Sequence, residues 1–510
     1  MIISLSVLVI TIIVSGTYAL YKAQLSKNIG VNTTTHGLAY YINYVKGTDI
    51  TAATLNPSTS YEGGASSDIE FWKKDDSYDI YGKIELTVNT IGTNLSNSPA
   101  LKYAVVNNGN VLKEGSLKGT TSGSKVTILK NLYLEQTKQI YTVYVWLDNS
   151  EELGNISNES LSISVDCTAS LQKELTAAET ITELYTSAAK VTATNNSITY
   201  NTAPSVSLMN DRLGGTTTSL DGGNIRYYGA SPNNYIYFNC SDYSNQTSST
   251  CETWRIIGVF DGKLKLIRGS QIGKYSWDNK NTSTGAENDA GKNDWTTARL
   301  MKLLNPSNYY KVDSNDNNLG QSLYYNSASG KCYSGQNNAT VDCDFTSTGI
   351  KNAETRNMIA ETTYNLGGWN SNSVYSNQIY EYERGTTVYS GRPTTWKGKI
   401  ALAYPSDYGY AADLNQCKDK TLYDYDNRTC TSNNWMKAII TNNGSNTGWL
   451  LTPNSGTSSI AWGVYSDGFV SSNNGASYAY GAVPVLSLSS ELGIESGGDG
   501  SSSKPYKLSA

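Results

Sequence analysis

A single histidine, His36, occurs in 510 residues. Most zinc sites and the Ser-His-Asp and Cys-His nucleophile systems need imidazole, so this scarcity excludes them. Charge is sparse too: Asp, Glu, Lys and Arg make up 16% of the chain, well below the usual quarter. With 39 basic and 44 acidic residues the net charge is −5, so the basic excess of a nucleic-acid binder is missing. No GxGxxG fingerprint, Walker loop, CxxC pair or HExxH run occurs, which removes the common dinucleotide, nucleotide and metalloprotease signatures. There is no LPxTG-like sorting signal. Phenylalanine is scarce, at 5, beside 39 tyrosines. The aromatic content is therefore amphipathic, with hydroxyls to spend on surfaces. These absences lead us to expect no cofactor, no metal and no enzymatic activity.

What is present points to export. Ile2–Tyr21 carries no charge and is mostly Ile, Leu and Val. As a helix it would span roughly 30 Å, a bilayer core. Two readings stand for residues 1–21: a signal peptide cut near Ala19, or an uncleaved membrane anchor. Six of seven cysteines form close local pairs: Cys240 with Cys251, Cys332 with Cys343, and Cys417 with Cys430. Each pair brackets a polar segment, as local disulfides of an oxidising compartment do. Cys167 is left over, and a buried thiol is expected. The protein is expected at the cell surface or secreted, touching membrane only through its N-terminal segment.

Length allows several domains. Residues 22–168 read as an antiparallel β-sandwich, Ig-like or jelly-roll. Strands are expected over Tyr78–Thr90, in a hairpin about Asn108-Gly109, and over Lys125–Leu134, Ile140–Leu147 and Leu161–Asp166. Tyr141–Leu147 reads as a central strand with Trp146 in the core. Residues 169–222 read as a connecting helix, with Leu171, Leu175, Ala178, Thr182, Tyr185 and Ala188 at helical spacing, followed by a linker rich in Ser, Thr and Asn. Residues 223–510 form the largest unit. Its hairpin at Asp261-Gly262 is a type I′ signal, and short helices are expected over Thr296–Leu304 and Ala353–Tyr364. The fold class is multidomain and mainly β, ending in an α+β unit.

The segments Asn224–Cys240, Cys251–Gly258, Glu383–Thr387 and Trp396–Tyr410 and the block at Trp449, in that order, resemble a family of exported surface proteins of Gram-positive gut bacteria. The likeness covers about residues 220–508. The C-terminal block is also similar to C-type-lectin-like modules of bacterial and phage receptor-binding proteins, which implies a ligand-binding α+β fold. Relatives carry Gly-Val-Arg-Pro-Val before the last core strand. This chain reads Gly481-Ala482-Val483-Pro484-Val485, so the arginine and whatever it does are absent. Ser15–Ala19 and Tyr141–Asp148 resemble the camelysin-like and biofilm-fibre proteins. That likeness implies a β-sandwich and, in fibre-forming members, donation of an N-terminal strand, here within residues 20–45.

The candidate ligand-binding residues lie in the tail: Asn454, Ser455, Trp462, Tyr465, Ser471, Asn473, Asn474, Ser477, Tyr478 and Tyr480. Ser472 lies in the same run. Tyr offers contact area at low entropy cost, and Ser and Asn offer adaptable hydrogen bonds. Trp462, taken alone, reads as core. Asp313–Asn318 is an oxygen-rich run better read as a polar loop than as a calcium site. Asp407, after Pro405, reads as a turn or cap. Glu361, Glu381, Glu383, Asp407 and Asp413 are the carboxylates a glycoside hydrolase would draw on, a minor reading. The leading expectation is an adhesin-like, non-enzymatic surface protein that recognises glycan or protein on a host or neighbouring cell. The alternative is a self-associating structural subunit of an extracellular fibre or biofilm matrix, assembled by strand donation.

Overall fold

Alternating burial along the first strands sets the architecture. The computed structural model describes residues 41–510, apart from 52–54, 56, 152, 154, 157–158, 212–222, 287–288, 312–318, 496 and 510. The hydrophobic run 1–21, His36, all but the last residues of the donor segment 20–45, and the Asp313–Asn318 loop lie outside the described residues. Among the described residues no helix is long and apolar enough to cross a membrane. The protein is mainly β, 37% strand and 16% helix, in several antiparallel sheets. It divides into two compact units, residues 1–174 and 175–510.

The first unit contains β1 (Ile42–Val45), β2 (Ile50–Thr51), β3 (Pro57–Ser58), β4 (Ala65–Lys73), β5 (Tyr81–Ile91), β6 (Leu101–Asn107), β7 (Asn110–Ser116), β8 (Lys125–Tyr133), β9 (Ile140–Asp148) and β10 (Leu161–Ser170). One sheet runs β1-β4-β9-β6-β7, with β3 beside β9, and the other runs β2-β10-β5-β8. Along β4 and β5 every second residue is buried, the mark of a sheet with one covered face. Ile69, Phe71, Val143 and Val145 from the first sheet share a core with Ile84, Leu86, Val88 and Ile163 from the second. The pairing is sandwich-like, as expected. The β6–β7 turn has Asn108 and Gly109 at positive φ, 49° and 76°, as a type I′ turn requires.

β9 is central, between β4 and β6, and Trp146 is a buried core residue as expected. It packs with Ala104, Val106, Tyr61 and Tyr144 in a separate cluster. Its neighbours Val145 and Leu147 belong to the main core. Period-two alternation puts adjacent side chains on opposite faces, and the outer face here is covered locally by Tyr61. Cys167 lies buried and unpaired on β10.

The second unit begins earlier than the sequence implies. The helix read as a connector is Ala177–Ser187. It is opened by a capping box in which Thr176 accepts from Glu179 N and Glu179 accepts from Thr176 N. It buries Ala177, Ala178, Ile181 and Tyr185 in the unit's main core. Residues expected as linker carry strands Val191–Asn195, Ile198–Ala203 and Leu208–Asn210. These open a sheet that continues through Ile225–Tyr227, Glu252–Phe260, Lys263–Arg268, Val485–Ser487 and Ile400–Ala401. Amphipathic spacing marks a face for burial without naming what buries it, so a docked helix and a spacer look alike in sequence.

Asp261 and Gly262 form the expected hairpin turn, both at positive φ. A second sheet orders Lys274–Ser276, Ala479–Gly481, Gly448–Pro453, Ile460–Val464 and Val470–Gly475. The first predicted short helix is Arg299–Leu304. The second stops at Met358, and Thr362–Asn365 is a strand. Tyr506 pairs with the strand Tyr235–Phe238: Tyr506 N donates to Tyr235 O at 2.9 Å, and Tyr237 N donates to Tyr506 O at 2.9 Å. Disulfides join Cys240 to Cys251, Cys332 to Cys343 and Cys417 to Cys430. They are the bonds of a protein folded in an oxidising, extracellular-type environment.

Candidate functional site

The tail residues separate into two groups. Asn454, Trp462, Ser471, Ser472, Asn474 and Ser477 are buried, and internal bonds occupy several of them. Asn454 Nδ2 donates to Ser472 O at 2.7 Å, and its Oδ1 accepts from Gly456 N at 2.7 Å. Asn474 Nδ2 donates to Ser471 O at 3.1 Å. Ser471 Oγ accepts from Asn473 N, and Ser477 Oγ donates to Asp289 O. Trp462 Nε1 donates to Trp369 O at 3.2 Å, and its ring sits in a core cluster. These side chains hold the sheet together and do not form an outer face. Buried amides and hydroxyls find partners because an unmade bond is costly. Ser455 is half-buried and Asn473 exposed.

The tyrosines behave differently. Tyr465, Tyr478 and Tyr480 fall into one strip of rings, joined by two residues that sequence reasoning missed, Tyr423 and Phe469. Tyr423 packs edge-on to Phe469 at 5.4 Å, and Phe469 lies 4.8 Å from Tyr465. Tyr478 lies 5.9 Å from Tyr480, and Tyr465 is near enough to Tyr480 to act on its phenol. Burial first, then Tyr465, pushes the Tyr480 phenol well above its ordinary range. Tyr423 is 56% exposed and Tyr478 39%. A turn sets the middle of the strip: Gly468 N donates to Tyr465 O, and Tyr465 N donates to Phe469 O. Gly468 has φ 107°, a conformation that favours glycine, and a Cβ there would meet Thr431 Cγ2 at 2.9 Å. Tyr408 Oη donates to Gly468 O and braces the turn.

A cleft of about 800 Å³ opens elsewhere in this unit. One wall is a face of the helix Ser376–Arg384, where Asn377, Tyr380, Glu381 and Arg384 follow the i, i+3, i+4, i+7 rule. The others come from the hairpin about Asp261, the strand Thr362–Asn365, and Tyr404 and Tyr410. Beneath it lies a buried ion network. Arg226 pairs with Asp211 at 2.5 Å and with Asp407 at 3.0 Å, and Lys265 pairs with Asp407. The Arg226 guanidinium lies among Phe260, Tyr410 and Tyr380, at 4.6, 4.8 and 5.3 Å. Asp407 also caps its own helix by accepting from Tyr404 N at 3.0 Å, the role its sequence position implied. Burial works to raise the Asp407 carboxyl, but Lys265 and Arg226 outweigh it and hold it below the ordinary value. Burial lowers Lys265 against the pull of Asp407.

The other carboxylates have internal roles. Burial pushes the Glu383 carboxyl up to about 7, where it accepts from Ser406 N at 2.9 Å and from Ser406 Oγ. Glu361 pairs with Lys397 and accepts from Tyr309 Oη at 2.8 Å. Asp413 accepts from Asn415 N, and Glu381 is exposed on the cleft wall. Glu383 and Asp407 are both wholly buried. Among the described residues no group of three or more His, Cys, Asp or Glu could hold a metal ion.

No family model matches the chain, and no curated protein matches it. Among solved structures it is similar to an acetyl xylan esterase from the rumen bacterium Butyrivibrio proteoclasticus, at 11% identity and TM-score 0.14, over 26% of this chain and 33% of that one. An HCR/D mutant matches at 11% identity and TM-score 0.14, over 51% of this chain and 76% of that one. The PBCV-1 virus capsid matches at 12% identity and TM-score 0.12, over 43% of this chain and 59% of that one. This chain thus spans about a third of the length of the esterase it matches, and likenesses at these scores carry no argument about fold or function.

Proposed function

We propose that the protein is an exported, non-enzymatic surface binding protein of the adhesin type. Its second unit is read as a C-type-lectin-like module that recognises glycan on a host or neighbouring cell. The single observation that carries this reading is the aromatic strip of Tyr423, Phe469, Tyr465, Tyr480 and Tyr478. Tyr423 and Tyr478 are exposed and the other three rings half-buried; such rings suit the apolar faces of sugars, while the tyrosine hydroxyls meet sugar hydroxyls. Disulfides support export, and the pairing of Tyr506 with the strand Tyr235–Phe238 supports a closed module of the lectin-like kind. The strip keeps three of the ten residues singled out in the sequence and replaces the others.

The test is glycan-array and cell binding by the full chain beside a Tyr423→Ala/Tyr478→Ala variant. Both rings are exposed, so the fold should survive. Loss of at least tenfold in binding supports the reading. Binding that is absent from every array and cell, or that is unchanged in the variant, overturns it.

A further inference from the structure

We propose that the cleft between the helix Ser376–Arg384 and the strand Thr362–Asn365 is a second ligand site. It takes a short neutral saccharide, independently of the aromatic strip. Three observations converge.

The first is size and lining. About 800 Å³ lies within the range of small-ligand sites and suits a few sugar rings. The half-buried Tyr380 and the buried Tyr364, Tyr404 and Tyr410 line it, supplying aromatic area, while the Tyr364 and Tyr404 hydroxyls already donate to Lys399 O and Asn365 O.

The second is charge. Four of the seven ionic residues that line the cleft are matched from within the protein: Lys265 by Asp407, Asp211 by Arg226, Arg384 by Glu383, and Glu361 by Lys397; the other three, Asp261, Lys263 and Glu381, are of both signs. Arg384 also stacks on Tyr380 at 3.5 Å. A charged ligand that engaged any of the four matched groups would have to break its pair. A neutral one leaves them in place.

The third is hydrogen bonding. Asn377 is 7% exposed and lines the cleft, and its Oδ1 has no partner; neither has Oγ1 of Thr362 on the opposite wall. Buried polar atoms are normally paired. Both side chains line the cleft, and both polar atoms are closed off from solvent, so the proposal requires each side chain to turn its polar atom to the ligand on binding. A ligand hydroxyl both donates and accepts, so it satisfies either one. The unpaired atoms are neutral, as the proposed ligand is.

The experiment uses the full chain with its disulfides intact. Saturation-transfer NMR is run against glucose, galactose and N-acetylglucosamine and their short oligomers, with glucuronate and free amino acids as charged comparisons. Asn377→Leu, Thr362→Val and Tyr380→Ala are read beside Tyr423→Ala/Tyr478→Ala, with near-UV circular dichroism reporting the fold. Thr362→Val is nearly isosteric and keeps the test open should Tyr380→Ala misfold. The expected result is saturation by at least one neutral saccharide, weakened tenfold or more by a folded cleft variant and unchanged by the strip variant. No neutral saccharide signal, a preference for the charged compounds, or a signal lost only in the strip variant overturns the proposal. The last outcome leaves the strip reading standing, and array binding lost without loss of the cleft signal separates the two in the other direction.

Discussion

Lys265 and Asp407, 142 positions apart, form an ion pair with side chains 6% and 0% exposed. Arg226 takes the other carboxylate oxygen of Asp407 and also holds Asp211. This network joins the Lys263–Arg268 strand, the Ile225–Tyr227 strand and the helix after Pro405 beneath the cleft. Its energetics are asymmetric. A matched buried pair contributes little net stability, whereas removing one partner strands a charge.

Asp407→Ala should therefore destabilise the second unit by about 3–5 kcal/mol, since Lys265 and Arg226 lose a shared counter-charge. Lys265→Met should cost less, because Asp407 keeps Arg226 and the Tyr404 amide. Urea unfolding of the two variants checks the ranking; equal costs would show that the network does not act as a shared charge cluster.

Glu383 gives a pH dependence with a definite sign. Its carboxyl titrates at about 7 in the fold against 4.5 when exposed. The folded state therefore binds the proton more tightly, and stability falls as pH rises from about 4.5 through 7. Asp278, pushed up to about 7 by burial, tilts the curve the same way. Glu383→Gln should flatten part of the slope of unfolding free energy against pH, and an unchanged slope would remove Glu383 as its source.

The three disulfides lie in the second unit, while the first has none among its described residues. Each closes a loop of 11 or 13 residues, worth roughly 2–3 kcal/mol in chain entropy. Reduction should speed hydrogen exchange in residues 175–510 and leave the core of β5 and β9 protected. Equal loss of protection in both units would count against this.

Cys167 is buried on β10, and burial raises its thiol well above the ordinary range. Thiolate is the reactive form. The native protein should resist aromatic disulfide reagents and release one reactive thiol only on unfolding; rapid native labelling would show that β10 opens.

Turns, strand periods and local disulfides were legible in the chain because each is written in neighbouring residues. Asn108-Gly109 and Asp261-Gly262 need only their own backbone freedom. The cysteine pairs span short polar segments, and alternation marked β5. Other features rested on partners far away in sequence. Trp146 is core, but in a small separate cluster, because Tyr61 covers the outer face there. The helix Ala177–Ser187 is core because a sheet assembled from residues 191–487 lies against it. The Asn377, Tyr380, Glu381 and Arg384 spacing was present in the sequence, but Tyr, Asn, Ser and Gly are so common here that it did not stand out. Half of the tail's polar residues proved internal for the same reason: composition reports what a side chain can bond to, and only the fold decides whether water, a ligand or the neighbouring strand is there to meet it. The sequence by itself determined a mainly β, disulfide-bonded chain with few of the groups common catalysis needs. Tertiary structure decided which tyrosines reach the surface, where the charges are buried and where the cleft opens, because burial and pairing depend on contacts between segments more than a hundred residues apart.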